Sequence, residues 1–244
     1  MNNIAIIIPS RLNAERLPNK PLKLINKKEM ILHVYDTAKK SDVGEVIVAT
    51  PDQEILDLIR SHNGHAVLTS DKHETGTDRV FEVFKKELKS TSEIIINFQG
   101  DMPNLNPSAI KNLVEHMKKN SCDIGTLASC IEDDYEEKDP NVVKVLVERD
   151  IKNKSFAKAR DFFRTSSKPL DKFTYHHVGI YAFTNKALIR YVSLERSKLE
   201  KEKNLEQLRA LEDKMIIDVG FIDACPLSVD TEADLAAVKK IMEK

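Results

Sequence analysis

The chain carries no excess of positive charge. Across 244 residues, 38 lysines and arginines face 39 aspartates and glutamates, for a formal net charge of −1. Gripping a nucleic-acid backbone takes a basic surface that displaces condensed counterions, so a general DNA or RNA binder is excluded. A local basic cleft for a small phosphorylated ligand is still allowed, because net charge says nothing of its distribution. Cysteine is scarce as well. Cys122, Cys130 and Cys225 are odd in number and lack metal-ligand spacing, and they read as small buried side chains in a reducing compartment. Long apolar runs are missing: Ile4 to Ile8 stops at Pro9, too short for a bilayer span or a signal peptide. The expected location is the cytoplasm, with neither membrane nor nucleic acid as a partner.

The 41% hydrophobic and 32% charged residues describe an ordinary globule with a full core. Its organisation follows from periodicity. Ile4–Ile8, Glu45–Thr50 and Glu93–Phe98 are nearly continuous apolar segments, as in strands buried on both faces of a parallel sheet. Between and after them, apolar residues recur every three or four positions over Ile31–Lys40, Gln53–His62 and Arg79–Leu88, which predicts amphipathic helices. A further helix begins near Pro107, and a last one spans Glu232–Met242. Alternation of this kind predicts an α/β fold with a mainly parallel sheet. From about residue 140 the rhythm changes: Val142–Val147 and His177–Phe183 read as strands, separated by a polar stretch, Arg149–Phe173. We expect one domain over residues 1–244, with about 140–185 as a strand-rich extension for substrate or a partner subunit. The charged run Glu195–Lys203 reads as a solvated helix face or loop.

In open α/β sheets, ligands bind beyond the carboxyl ends of the strands. The first strand is followed by Pro9-Ser10-Arg11 and a loop running to Lys20-Pro21-Leu22, rich in proline and cations. The loop has no glycine, so it is neither a Walker nor a dinucleotide-binding loop. Phosphate here would be gripped by side chains, Arg11 as a planar fork and Lys20 as a point charge; the alternative is a solvated surface loop. Asp101 follows the third apolar run and suits a hard cation such as magnesium, or else serves as a turn residue after Gly100. Asp230 stands before the last helix as a second carboxylate, or as its N-cap in competition with Thr231.

These segments together resemble the 3-deoxy-manno-octulosonate (Kdo) cytidylyltransferases. The resemblance rests on the ordered set Ile7-Ile8-Pro9-Ser10-Arg11 through Lys20-Pro21-Leu22, Gly76-Thr77-Asp78-Arg79, Gln99-Gly100-Asp101-Met102-Pro103, Asp139-Pro140-Asn141 through Val145, His177-Val178-Gly179-Ile180-Tyr181, Leu205-Glu206-Gln207-Leu208-Arg209 and Val229-Asp230-Thr231 through Leu235. It implies a Rossmann-like, glycosyltransferase-A-like nucleotidyltransferase, a homodimer that uses Mg²⁺ to join CMP from CTP to Kdo for lipopolysaccharide biosynthesis. By the same resemblance, Arg11 and Lys20 hold the triphosphate, with Ser10, Thr77 and Gln99 near the nucleotide. Asp101 and Asp230 hold the metal. Arg79, Gln99, Arg160, His177, Tyr181, Glu206 and Gln207 face the sugar. The chain departs from the family pattern at Met102, where glutamate is commoner, at Ser228, where glycine is, and over Ala157–Arg164, where Arg164 competes with Arg160 for the sugar carboxylate. That last departure keeps 8-amino-Kdo, or another acidic sugar such as sialic acid, as alternative substrates. A glycosyltransferase or a non-catalytic nucleotide-sugar binder is the rival from another class.

Overall fold

A computed structural model describes residues 3–13, 16–153 and 155–243. It divides into two compact units, one made of residues 1–111 with 226–244 and the other of 112–225. The first unit is built on β1 (Ile4–Pro9), every residue of which is buried. After β1 come two short strands, β2 (Leu24–Ile25) and β3 (Lys28–Glu29), joined by Asn26 and Lys27 at φ of 49° and 69°. Two successive positive φ values are what a tight two-residue hairpin turn requires. Then follow α1 (Met30–Lys40), β4 (Glu45–Thr50), α2 (Gln53–Ser61), β5 (His65–Leu68), α3 (Gly76–Lys86) and β6 (Ile94–Phe98). The strands pair in parallel in the order β5-β4-β1-β6, with Ile7 opposite Ile47 and Ile6 opposite Ile96. Helix α3 starts three residues before the apolar period does, because Thr75 accepts from the Asp78 amide and caps it.

The second unit contains most of α4 (Pro107–Lys119), then β7 (Ile124–Ser129), α5 (Asp134–Lys138), β8 (Lys144–Val147), β9 (Phe156–Phe163), β10 (Thr174–Thr184), α6 (Asn185–Ser193), α7 (Lys198–Lys203), α8 (Gln207–Glu212) and β11 (Ile217–Phe221). Four pairings here are antiparallel and one, β11 with β7, is parallel. They close into a ring, β10-β7-β11-β9-β8 and back to β10. Strand β10 serves two neighbours: Thr174–His176 pair with β8, and His176 onward pair with β7, in a ladder whose register shifts between Val178 and Tyr181.

Two expectations are corrected in this unit. The polar stretch Arg149–Phe173 contains strand β9, in which Ala157 and Phe162 are buried while Lys158 and Arg160 face solvent. Its first part pairs with β11 and its second with β8, so ladder bonds support the strand whatever its side chains. The charged run Glu195–Lys203 is not wholly solvated. Glu200 of α7 is fully buried and takes both Nε (2.8 Å) and Nη2 (2.7 Å) of buried Arg209, with Arg196 Nε at 3.0 Å. The Arg209 guanidinium also lies over the Tyr191 ring, 4.7 Å from its centre.

Helix α9 (Glu232–Met242) returns to the first unit. Leu235 and Val238 of α9 pack with Leu17, Ile25, Met30 and Val229 in one cluster. No described helix is long and apolar enough to cross a membrane.

Candidate active site

In the first unit, the loop after β1 is tied down by backbone bonds. The Ser10 amide donates to the Ala49 carbonyl (2.9 Å) and the Leu12 amide to the Asp52 carboxylate (2.8 Å). Ala14 and Glu15 of this loop lie outside the described residues. Asn19 adopts φ 56°, turning the chain into a short 3₁₀ turn that carries Lys20. Lys20 Nζ stands 3.2 Å from Asp101 Oδ2 and 3.0 Å from Asp230 Oδ1. Burial alone would lower this ammonium, but the two carboxylates outweigh it and hold it above its ordinary value. Arg16 Nη2 reaches the other Asp230 oxygen at 3.0 Å, a contact the sequence reading missed although it falls in the same loop.

The capping alternative for Asp230 is answered by its neighbours. Thr231 accepts from the Asp234 amide, and the Asp234 carboxylate takes the Asp230 and Thr231 amides, completing a capping box. The cap is thus filled, and the Asp230 carboxylate is spent on cations instead. Asp101 does occupy a turn, its carbonyl accepting from the Val229 amide (2.9 Å), yet its carboxylate also meets Lys20. Met102 is buried and adds no carboxylate.

Around these charges lie groups with unused bonding capacity. Ser10 Oγ is buried without a hydrogen-bond partner among the described residues, which a native fold tolerates mainly where a ligand or water completes it. Arg11 is exposed. Arg79 is buried and donates to Thr69 Oγ1 and to the Ser70 carbonyl. Its guanidinium is held below its ordinary value by burial and by the positive charge of Arg11. Two arginines close enough to perturb each other suit an anion. Gln99 donates to Asn97 Oδ1 (2.6 Å) and Asn97 to Thr77 Oγ1 (3.2 Å), so buried Asn97 orients two residues named from the motif. A Cβ on Gly76 would come within 3.0 Å of the Gln99 amide, and one on Gly100 within 3.2 Å of the Pro9 carbonyl. The glycines in these motifs are there for close approach.

The structure places Arg160, His177, Tyr181, Glu206 and Gln207 in the second unit, whereas Arg79 and Gln99 belong to the first. His177 is buried on β10, its ring edge-on to Phe162 (5.1 Å) and 5.4 Å from that of Tyr181. Burial, then the charge of His176, pushes its imidazole down to about 3. Burial raises the Tyr181 phenol well above its ordinary value, with Tyr191 and Glu206 adding to the effect. Gln207 is buried at the start of α8. Arg160 is exposed, and its side chain forms no hydrogen bond or ion pair among the described residues. Arg164 is tied by its guanidinium to the carbonyls of Pro140 (3.0 Å) and Asn204 (3.4 Å). Beside it, fully buried Lys144 donates to the Asp139 and Arg164 carbonyls.

Thr126 of β7 sets the protonation of His177, which sequence reasoning did not find. Its hydroxyl donates to the Ile180 carbonyl (2.7 Å) and accepts from His177 Nε2 (3.0 Å). The imidazole proton therefore sits on Nε2, and Nδ1 keeps its lone pair. Since the folded pKa lies below the unfolded value, the unfolded chain takes up a proton first as the medium is acidified. The neutral ring's contribution is complete above pH ~6.5 and is lost progressively toward pH 3. Between pH 7 and 5, wild type should lose about 2 kcal/mol more in urea unfolding than His177→Gln. Parallel losses in the two proteins would refute this.

A cytidylyltransferase family model matches residues 5–217. The 3-deoxy-manno-octulosonate cytidylyltransferase of Rhodopseudomonas palustris (strain BisB18) is 41% identical, covering 97% of this chain and 96% of its own. That of Rhodospirillum centenum (strain ATCC 51521 / SW) is 40% identical, covering 99% and 94%. The solved structure of a CMP:2-keto-3-deoxy-manno-octonic acid synthetase complexed with CTP matches with a TM-score of 0.88 at 35% identity, covering 98% of each chain. A 4-diphosphocytidyl-2C-methyl-D-erythritol synthase from Anaerococcus prevotii shares the fold, with a TM-score of 0.66 at 16% identity, covering 99% of this chain and 98% of its own. With strand-end carboxylates, a cation-rich loop that has no glycine and near full-length identity of about two residues in five, the chain belongs to the cytidylyltransferase family, among the 3-deoxy-manno-octulosonate cytidylyltransferases.

Proposed function

We propose that this protein transfers CMP from CTP to the anomeric hydroxyl of Kdo, releasing pyrophosphate. The observation that carries the reading is Lys20 held between Asp101 and Asp230. Two hard carboxylates converging on one cation form a donor set that fits Mg²⁺, which needs only one or two carboxylates besides water and phosphate. Asp101 and Asp230 would hold the ion. When bound, Mg²⁺ neutralises triphosphate charge and stabilises the departing pyrophosphate.

The chain's own residues position and neutralise. Arg11 and Lys20 take triphosphate oxygens, and the orphaned Ser10 hydroxyl gains its missing partner there. Thr77 and Gln99, steadied by Asn97, border the nucleotide. The sugar hydroxyl oxygen bonds to the α-phosphorus as the bond from that phosphorus to the β-phosphate oxygen breaks, and the hydroxyl proton passes to solvent. Both substrates are anions, and two like unit charges ~4 Å apart repel by about 4 kcal/mol at an effective dielectric near 20. Offsetting that repulsion is the task of Arg11, Arg79 and Lys20.

For the sugar, His177 Nδ1 is an acceptor for a hydroxyl, with Tyr181, Glu206 and Gln207 as further polar partners. Arg160 grips the carboxylate, because its guanidinium is uncommitted while that of Arg164 is engaged by backbone. Arg160→Ala should raise KM for Kdo at least ~10-fold and leave KM for CTP unchanged. Arg164→Ala should lower the melting temperature instead. Loss of the sugar step in Arg164→Ala alone would reverse the assignment.

The enzyme works in the cytoplasm as a homodimer, a reading supported by the family resemblance and by an exposed apolar pair. Ile189 of α6 and Ile216 of the loop between α8 and β11 are 44% and 37% exposed, and Arg190 of α6 donates to the Asp213 carbonyl of that loop (2.7 Å). The test of function is pyrophosphate release on mixing protein, CTP, Mg²⁺ and Kdo, with 8-amino-Kdo and sialic acid run in parallel. Release should require all components, favour Kdo and stop in excess EDTA, returning with Mg²⁺. CTP binding without release, or preference for sialic acid, would overturn the proposal.

A further inference from the structure

Three potential metal ligands of the second unit stand together outside every group described above. They are His116 near the end of α4, Cys122 just before β7 and Asp218 on β11, and one ligand atom from each lies within 4.8 Å of the others. Three points so spaced share a centre no more than about 2.8 Å from each, against zinc–ligand bonds of about 2.0–2.3 Å. Small side-chain adjustments would close the site, the sulfur drawing in and the imidazole and carboxylate separating to about 3.3 Å as tetrahedral ligands require. His116 Nε2 already lies 2.7 Å from Asp218 Oδ2.

The surroundings are those of a built site. The His116 ring is stacked on Phe156, with centroids 3.7 Å apart and planes within 6°. That stacking depends on Gly220, opposite Phe156 in the β11–β9 ladder, where a Cβ would come within 2.4 Å of the Phe156 ring. Gly125, opposite Asp218, lets Met117 of α4 close in, since a Cβ there would stand 2.8 Å from Met117 Sδ. Asn120 holds the remaining ring nitrogen of His116, Nδ1, at 3.1 Å. Ligating histidines are usually oriented by donating the outer ring N–H, and Asn120, which presents its Nδ2 to Nδ1 in the ion-free state, stands at that partner's place. Cys122 is buried, while His116 and Asp218 keep about 15% of their side chains exposed, enough to leave a fourth position to water.

We propose that His116, Cys122 and Asp218 form a binding site for a divalent transition ion of the zinc class, made of residues other than those assigned to magnesium. One thiolate, one imidazole and one carboxylate form a mixed soft and hard donor set that favours zinc or cobalt over magnesium. Burial, then the Asp218 carboxylate, pushes the Cys122 thiol up to about 12, so without an ion the sulfur stays protonated. On binding, the thiol proton passes to solvent. The Nε2 proton is replaced by the ion and Nδ1 becomes the protonated nitrogen, accepted by Asn120 after its amide turns over.

Cobalt(II) is the probe, because a magnesium site built of oxygens gives no thiolate-to-metal absorption. Titrating the full-length protein with Co²⁺ should yield a near-ultraviolet thiolate band and intense visible bands of four-coordinate cobalt, saturating at one equivalent. Both should persist in Asp101→Asn and vanish on adding Zn²⁺. Cys122→Ser should abolish the thiolate band, and His116→Gln should weaken binding by about 100-fold or more. Should Cys122→Ser fail to fold, Asp218→Asn keeps the thiol and must still lose the four-coordinate spectrum. A missing thiolate band, or one that survives in Cys122→Ser, would overturn the site.

Discussion

Replacing Asp101 by asparagine is expected to cut turnover by about 10³, the scale of losing one charged group that stabilises a transition state. The substitution preserves shape and removes the charge that a hard cation needs. Folding should barely register it. The Lys20–Asp101 contact is partly exposed and Lys20 keeps Asp230, so the lost ion pair is worth about 0–1 kcal/mol. That corresponds to a fall in melting temperature of no more than about 4 °C for a chain this long. Steady-state kinetics over a Mg²⁺ titration, paired with calorimetry, separates the two effects. A variant that keeps activity within tenfold of wild type would remove Asp101 from the metal assignment. One that unfolds while its folded fraction stays fully active would make Asp101 structural.

The second large effect is on stability. Arg209→Met should lower stability by about 3–5 kcal/mol, because it strands a buried carboxylate. Glu200 is fully buried and Arg209 nearly so, and both guanidinium nitrogens of that contact point at Glu200. Arg196 would remain, but its side chain is 37% exposed, so water screens its charge. Removing both charges should cost less than removing one. Glu200→Gln combined with Arg209→Met is therefore expected to recover at least about 1 kcal/mol relative to Arg209→Met alone. Thermal denaturation of the four proteins of this cycle checks it. A single variant within about 1 kcal/mol of wild type, or no recovery in the double, would show that the pair is not a buried anchor.

Much of this was legible in the chain. Strands buried on both faces print continuous apolar runs, and β1, β4 and β6 appear where those runs stand. Helix α9 spans the residues its periodicity marked, with Thr231 and Asp234 at cap spacing. The loop cations and strand-end carboxylates were visible because short motifs surround them. What stayed hidden depended on neighbours distant in sequence. Strand β9 has only Ala157 and Phe162 buried, and ladder bonds to β11 over its first part and to β8 over its second hold it in place of a continuous apolar face. Glu200 looks like any member of a charged run until Arg209 reaches it. Thr126 finds His177 across 51 positions and His116 finds Asp218 across 102, separations at which no local pattern survives.

The return of α9 to the first unit bears on how the molecule is made. Residues 112–225 are contiguous and emerge from the ribosome with every strand of their ring available, whereas the other unit waits for residues 226–244. Until those are synthesised, Leu17, Ile25 and Met30 lack the apolar cover of Val229, Leu235 and Val238, and Lys20 lacks one of its two carboxylates. Contacts that join the beginning of a chain to its end are the slowest to close and leave apolar surface open meanwhile. The nascent protein therefore completes its first unit after the second, and a chain cut short before residue 226 carries an intact later ring beside an uncovered apolar cluster.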